Sequence, residues 1–342
     1  LPETSVAPSI LALDVGGANL KAAHTAVDMA WTQPFALWKD PGGLADALRD
    51  LLRELPPFDR LTLTMTGELC DCFATRREGV MAILEAVAGV AGSAPVAVWS
   101  IKAEFVTLET ARSQPLLVAA SNWLALATFA GRYAPEGAAL LLDIGSTTTD
   151  IVPLLDGWPV PHGRLDPERL RSGELVYTGV ERTPVCALLG GDGAAELFAT
   201  TADVYLVLGK IAENTLHQPT ADGRPSTRDL AHARLARMMC ADVETSTPEE
   251  RRGLALRTAH RQIALLKGAV QKVSGRLPRQ LRTVVLSGSG EFLGRSVLET
   301  ELPTVPAVRV ERVVSLTQEL GPETSRAACA YALTVLASEA GG

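Results

Sequence analysis

One device occurs twice in this chain and restricts the available folds more than any other feature. Leu13-Asp14-Val15-Gly16-Gly17-Ala18-Asn19 can be laid over Leu142-Asp143-Ile144-Gly145-Ser146-Thr147-Thr148. In both copies apolar residues lead into Asp-apolar-Gly-small, and an apolar pair follows, Ala22-Ala23 in one and Ile151-Val152 in the other. A short apolar run that stops at glycine reads as a buried strand meeting a tight turn. One copy in each half predicts duplicated α/β domains that face a shared cleft.

The repeated turn has a chemistry of its own. Its glycines let the backbone come close to a ligand. Successive backbone N–H groups in such a turn form a concave nest for phosphate oxygens. An Asp at the strand end suits a hard cation such as Mg²⁺. Gly16, Gly17, Asn19 and Lys21 are therefore candidate phosphate contacts in the first copy, and Gly145, Ser146, Thr147 and Thr148 in the second. Asp14 and Asp143 are candidate magnesium ligands and, through the metal, candidate catalytic residues. A third turn, Gly288-Ser289-Gly290, follows the apolar run Leu281 to Ser287 and extends the phosphate-binding set.

The remaining sequence fixes the frame around these turns. At 342 residues the chain suits two domains. We expect residues 1–135 in an N-terminal lobe and 136–321 in a C-terminal lobe, with a helix over 322–338 that packs back on the first. Each lobe is expected to carry a five-stranded mixed sheet. A net charge of −7 argues against nucleic acid and against membrane surfaces as partners. No apolar run reaches the roughly 18–20 residues of a membrane span, and residues 1–9 lack the pattern of a signal peptide. Five scattered cysteines read as free thiols in a reducing compartment, so a cytoplasmic location is expected. Self-association stays open.

Helical spacing is found at Leu44 to Leu55, Gly79 to Val90, Leu230 to Cys240 and Pro248 to Lys272, the last opened by Thr247 as a cap. Ser121 reads as the cap of a further helix that runs to Phe129. The stretch Pro159 to Pro184 reads as loop with short strands.

The three glycine turns, in this order, resemble the phosphate-1, phosphate-2 and adenosine motifs of the actin/hexokinase/Hsp70 superfamily, whose lobes are ribonuclease H-like. Leu140 to Ile151 (LLLDIGSTTTDI) resembles its hydantoinase A/oxoprolinase branch. With DVGGANLK at Asp14, MTGELCD at Met65, ELVYTGVERTPV at Glu174 and the run from Thr220 to Asp242, the chain resembles the methanofuran-biosynthesis synthases over most of its length. That resemblance implies a transferase. An aminomethylfuran diphosphate condenses with a glutamyl-tyramine-type phenol, or a tyrosine-derived one in methylofuran synthesis, and pyrophosphate leaves as an aryl ether forms.

A phenol with a pKa near ~10 needs a base. Asp150, Glu68 and Asp71 are candidates in that order. Arg182 is a candidate substrate contact, because a guanidinium grips phosphate or carboxylate with a fork. His217, His232 and Cys240 match no standard zinc spacing and read as structural or solvated. Three other readings use the same turns: an ATP-dependent small-molecule kinase, an ATP-using oxoprolinase-like hydrolase, and a non-catalytic nucleotide sensor or scaffold.

Overall fold

The computed structural model describes residues 8–27, 29–216, 220–299 and 308–340. In chain order the elements are β1 (Ile10–Val15), β2 (Asn19–His24), β3 (Ala30–Pro34), α1 (Leu44–Arg53), β4 (Arg60–Met65), α2 (Arg76–Ala91), β5 (Val96–Trp99), β6 (Phe105–Thr107), α3 (Leu108–Ser113) and α4 (Asn122–Ala130). They continue with β7 (Ala138–Ile144), β8 (Thr149–Leu155), β9 (Trp158–Pro159), α5 (Asp166–Ser172), β10 (Leu175–Val176), α6 (Val185–Leu189), α7 (Thr201–Val207), α8 (Arg228–Met238) and α9 (Pro248–Ser274). The last are β11 (Leu281–Ser287), α10 (Glu291–Glu299), β12 (Val308–Ser315), α11 (Leu316–Leu320), α12 (Pro322–Arg326) and α13 (Ala328–Ala340). Two compact units result. The first is Leu1–Gly137, Leu154–Asp166 and Val314–Gly342; the second is Ala138–Pro153 and Pro167–Val313.

The first sheet has the order β3-β2-β1-β4-β5-β6, with β1 antiparallel to β2 and parallel to β4. The second follows β10-β8-β7-β11-β12, with β8 joined to β7 through the tight Gly145–Thr148 turn and β7 parallel to β11. The repeated sequence is thus a repeated topology: hairpin first, parallel neighbour second. Each sheet has six strands rather than the expected five: β9 pairs antiparallel with β8 off the path of the second, and β6 extends the edge of the first. Strand β6 is only Phe105–Thr107 and pairs antiparallel with β5, too short for alternation to reveal.

Strand alternation sorts the first core into two faces. Leu11, Leu13 and Val15 of β1 and Leu61, Leu63 and Met65 of β4 pack with buried leucines of α1 and Val80, Ile83 and Val87 of α2. The opposite face gathers Ala12, Ala23, Ala125, Ala327 and Ala330 around Trp99 and Leu333. Alanines there let α13 lie close against β1 and β2, and Asp14 shares the side of Ala12 by alternation. In the second unit Leu140, Leu142, Ile144, Val284 and Leu286 of β7 and β11 meet Leu254, Leu266 and Val270 of α9.

Several local expectations are refined. Thr247 caps α9 with a full capping box through Glu250. Ser121 occupies the N-cap of α4 but does not cap it. Its hydroxyl donates to the Trp99 carbonyl at 2.9 Å and meets Thr64 Oγ1 at 3.2 Å, so it ties α4 to the sheet instead. The segment read as loop contains α5, whose inward residue is Arg169, 1% exposed; an apolar stripe could not announce it. The final helical stretch is two helices, α12 and α13, broken at Ala327.

Gly79 decides how α2 sits. A Cβ there would be driven into the backbone of Glu68, 2.7 Å from its Cα. Alanine is the better helix former by about 1 kcal/mol, yet Gly79→Ala is expected to destabilise the chain by about 1–3 kcal/mol, because backbone cannot yield as a flexible side chain does. A urea midpoint that rises in this variant would contradict that packing.

Candidate functional site

The first turn joins β1 to β2. Gly16 N–H donates to the Asn19 carbonyl at 3.0 Å and closes a two-residue hairpin loop of Gly17 and Ala18. The carbonyls of those two residues are both occupied, Gly17 O by Leu37 N–H (2.9 Å) and Ala18 O by Phe35 N–H (3.0 Å). Among the described residues the N–H groups of Gly17 and Ala18 have no acceptor. Two adjacent donors without acceptors are what an anion nest requires.

The second turn repeats this. Gly145 N–H donates to the Thr148 carbonyl at 2.9 Å. Val180 N–H takes Gly145 O (3.0 Å), while Glu181 and Arg182 N–H both take Ser146 O (2.9 and 3.0 Å). The N–H groups of Ser146 and Thr147 find no acceptor among the described residues, and their hydroxyls lie 3.4 Å apart. The third turn abuts this one. Gly288 has φ +85°, and a Cβ there would lie 2.8 Å from Asp143 Oδ1. Gly290 N–H donates to Ile144 O at 2.9 Å. Ser287, paired with Asp143 across β11 and β7, keeps a buried hydroxyl with no hydrogen-bond partner. In the second unit, therefore, Asp143, Gly145 to Thr147, Val180 to Arg182 and Ser287 to Gly290 come together.

In the first unit the charged groups are unusual. Asp14 is 3% exposed and its Oδ1 has no hydrogen-bond partner. Its other oxygen, Oδ2, lies 3.8 Å from Lys21 Nζ, on the residue opposite it in β2. Burial raises its pKa, and Lys21 offsets part of that rise. A buried carboxylate with an orphaned oxygen beside an anion nest fits Mg²⁺, which takes one or two carboxylates and completes its shell with phosphate and water. Among the described residues no group of three or more His, Cys, Asp or Glu forms a larger metal cage.

Glu68 sits in a 3₁₀ turn after β4 and is 1% exposed. Neither of its carboxylate oxygens has a hydrogen-bond partner. Arg76 Nε lies 3.6 Å away, and the same guanidinium holds Asp166 at 2.6 Å. Burial pushes the Glu68 pKa up to about 7; Arg76 pulls against it, and Asp166 and Asp14 add to it. Gly67 places this turn against the first glycine loop, since a Cβ there would lie 3.2 Å from the Gly16 carbonyl.

The other candidate bases stand differently. Asp150 is held at 2.8 Å by the buried guanidinium of Arg169, which also donates to Glu174 O. Asp71 and Arg182 are exposed. His24 is a packed histidine, with Ala26 N–H on Nδ1 (3.0 Å) and Pro57 O near Nε2 (3.2 Å). Arg251 Nε contacts His232 Nδ1 at 3.4 Å, and Cys240 is exposed. His217 lies outside the described residues. Arg76 and Asp166 were not singled out from the sequence. They lie 90 residues apart, and nothing in spacing joins them.

Among the described residues no helix is long and apolar enough to cross a membrane. A family model described as hydantoinase/oxoprolinase matches residues 59–317. A protein of Methanocaldococcus jannaschii named as (4-{4-[2-(gamma-L-glutamylamino)ethyl]phenoxymethyl}furan-2-yl)methanamine synthase is 32% identical over 337 residues, 96% of this chain and 97% of that relative. Two solved structures share the fold at low identity. A nucleotide-free acetone carboxylase superposes with a TM-score of 0.52 at 9% identity, over 96% of this chain and 70% of its own. A PilM–PilN type IV pilus biogenesis complex gives 0.50 at 14% identity, over 97% and 99%. The duplicated turn, the fold and a full-length match to a relative at this identity agree: the chain belongs to the hydantoinase/oxoprolinase family, among its methanofuran-biosynthesis synthases.

Proposed function

We propose that the chain is a magnesium-dependent transferase that joins the carbon of an aminomethylfuran diphosphate to a phenol oxygen and releases pyrophosphate. The product class comes from the relative's name, which describes a phenoxymethyl group on a furan carrying a methanamine. The observation that carries the diphosphate is the pair of glycine turns, each with two adjacent N–H groups and an Asp at the preceding strand end.

In this reading the furfuryl C–O bond breaks and its electron pair leaves with the diphosphate. The phenol oxygen bonds to the same carbon, and the phenolic proton goes to a carboxylate. In each unit the loop N–H groups, Gly17 and Ala18 in the first and Ser146 and Thr147 in the second, are donors suited to phosphate oxygens on which negative charge grows. Lys21 adds positive charge beside the first turn. Asp14 in the first unit and Asp143 in the second are each candidate ligands for magnesium, which when bound would neutralise leaving-group charge. Glu68 is the proton acceptor this arrangement favours. Its pKa of about 7 makes it a base matched to neutral pH, whereas the carboxylate of Asp150 is engaged by Arg169.

Product analysis tests the reaction. Purified protein, Mg²⁺, the diphosphate and a tyramine-type phenol should yield pyrophosphate and the ether mass in equal amounts, with neither formed when the phenol is omitted. Phosphate released from ATP in place of these products would contradict the proposal.

Asp14→Asn should keep the fold and lower kcat/KM by about a hundredfold or more, the scale of losing one preorganised charge contact in a catalytic site. Near-normal turnover would remove Asp14 from the metal site.

Glu68→Gln makes two predictions. Activity in the wild type should rise as pH passes upward through about 7, and the variant should lose that limb. Stability should move the other way. The folded carboxyl binds its proton more tightly than the unfolded one, whose ordinary pKa is 4.5. Its contribution is therefore fully present below pH 4.5 and lost as pH rises towards 7, a change on the order of 3 kcal/mol at most. Urea unfolding at pH 4.5 and pH 8 should show this decline in wild type and its absence in Glu68→Gln. Parallel pH profiles for the two proteins would show that Glu68 is not held as described.

A further inference from the structure

Three backbone donors hold the second phosphate turn from behind, and the segment that supplies them is itself pinned. Thr178 to Thr183 runs beside the turn so closely that a Cβ at Gly179 would lie 2.5 Å from Gly145 O and 2.6 Å from the Ser146 carbonyl carbon. Such backbone-to-backbone packing transmits any displacement of the segment to the turn.

A buried polar network fixes the segment's position. Gln262, fully buried on α9, donates through Nε2 to Thr178 Oγ1 at 2.9 Å and to Gly179 O at 2.8 Å. Tyr205 on α7, 2% exposed, donates its hydroxyl to Gln262 Oε1 at 2.7 Å and so fixes which way the amide faces. Thr201 Oγ1 adds a second bond to Gly179 O at 2.9 Å, and Thr183 Oγ1 meets Thr178 Oγ1 at 2.9 Å and accepts from Gly179 N–H at 3.0 Å. Thr149, the first residue of β8, donates to Thr178 O at 2.8 Å. The Gln262 Nε2 is thereby spent on this one segment, and its Oε1 on Tyr205.

We infer that Gln262, oriented by Tyr205, is a positioning residue for the diphosphate grip: it holds Val180 to Arg182 against the Gly145–Ser146 carbonyls so that the Ser146 and Thr147 N–H groups are presented to phosphate. The ligand's identity rests on the function proposed above; the positioning role rests on the hydrogen bonds alone. Its effect is confined to the phosphate end of the reaction. A merely structural glutamine would alter stability, or both substrates alike.

The test is calorimetric binding of magnesium pyrophosphate to the full chain, with steady-state kinetics beside it. Two variants are compared with wild type: Gln262→Leu, and Gln262→Leu combined with Tyr205→Phe, which leaves no orphaned tyrosine hydroxyl. Both should bind magnesium pyrophosphate about tenfold more weakly, and KM for the diphosphate should rise by a similar factor while KM for the phenol stays put. A folded variant with wild-type affinity, or an equal rise in both KM values, would overturn the inference. If neither variant folds, Tyr205→Phe alone retains the apolar contacts and should weaken binding two- to threefold, and unchanged affinity there would overturn it as well. Absence of any binding to the wild type is a separate outcome, which removes the diphosphate reading and this assignment with it.

Discussion

The site depends on which way a few peptide groups face. In each unit a neighbouring segment consumes the carbonyl oxygens of a hairpin loop, and this leaves the adjoining N–H groups without acceptors among the described residues. Leu37 and Phe35 do this for the first turn, and Val180, Glu181 and Arg182 for the second. The two bracing segments share no sequence, but each is an irregular stretch that leaves the strand paired with the hairpin's second strand, β3 in the first unit and β10 in the second. What the duplication kept is the strand, the Asp and the turn. The place of the brace was kept as well, because the orientation of the peptides is what an anion senses.

That orientation has a cost which the rest of the fold absorbs. Buried polar groups are normally paired, yet Asp14 Oδ1, both oxygens of Glu68 and the Ser287 hydroxyl have no hydrogen-bond partner. All of them lie on turns or strand ends that border the glycine loops, whereas the strands behind them are close-packed aliphatic core. Unsatisfied carboxylates gathered at one end of well-packed sheets are the pattern expected where stability has been given up for ligand chemistry. The Arg76–Asp166 pair then acts as a local counterweight. It keeps one cation near Glu68 without a hydrogen bond short enough to quench it.

The sequence made the turns legible and left their surroundings dark, for a physical reason. A phosphate loop needs a strand, an Asp and small residues at adjacent positions, so a window of seven residues contains the whole signal. The choice among bases is different. Asp150 stands first among the candidate bases read from the sequence, but Arg169, nineteen residues further on in α5, reaches it. That helix offered no apolar stripe to betray its buried face. Glu68 lies far from either loop in sequence and is brought to the first one by the parallel pairing of β1 with β4. Gln262 was hidden inside a long amphipathic pattern where one polar residue on the inner face looks like noise. Duplicated topology could be read from the repeat, while the sixth strand of the first sheet was too short to leave a period.

The account stands or falls on the four loop N–H groups acting as phosphate donors. Backbone amide NMR, following hydrogen-exchange protection and shifts of Gly17, Ala18, Ser146 and Thr147 on addition of magnesium pyrophosphate, observes them directly. Protection and downfield shifts at all four, with little change at strand amides behind them, are the predicted result. Binding that leaves these four amides unperturbed would show that the diphosphate is held elsewhere and would contradict the account.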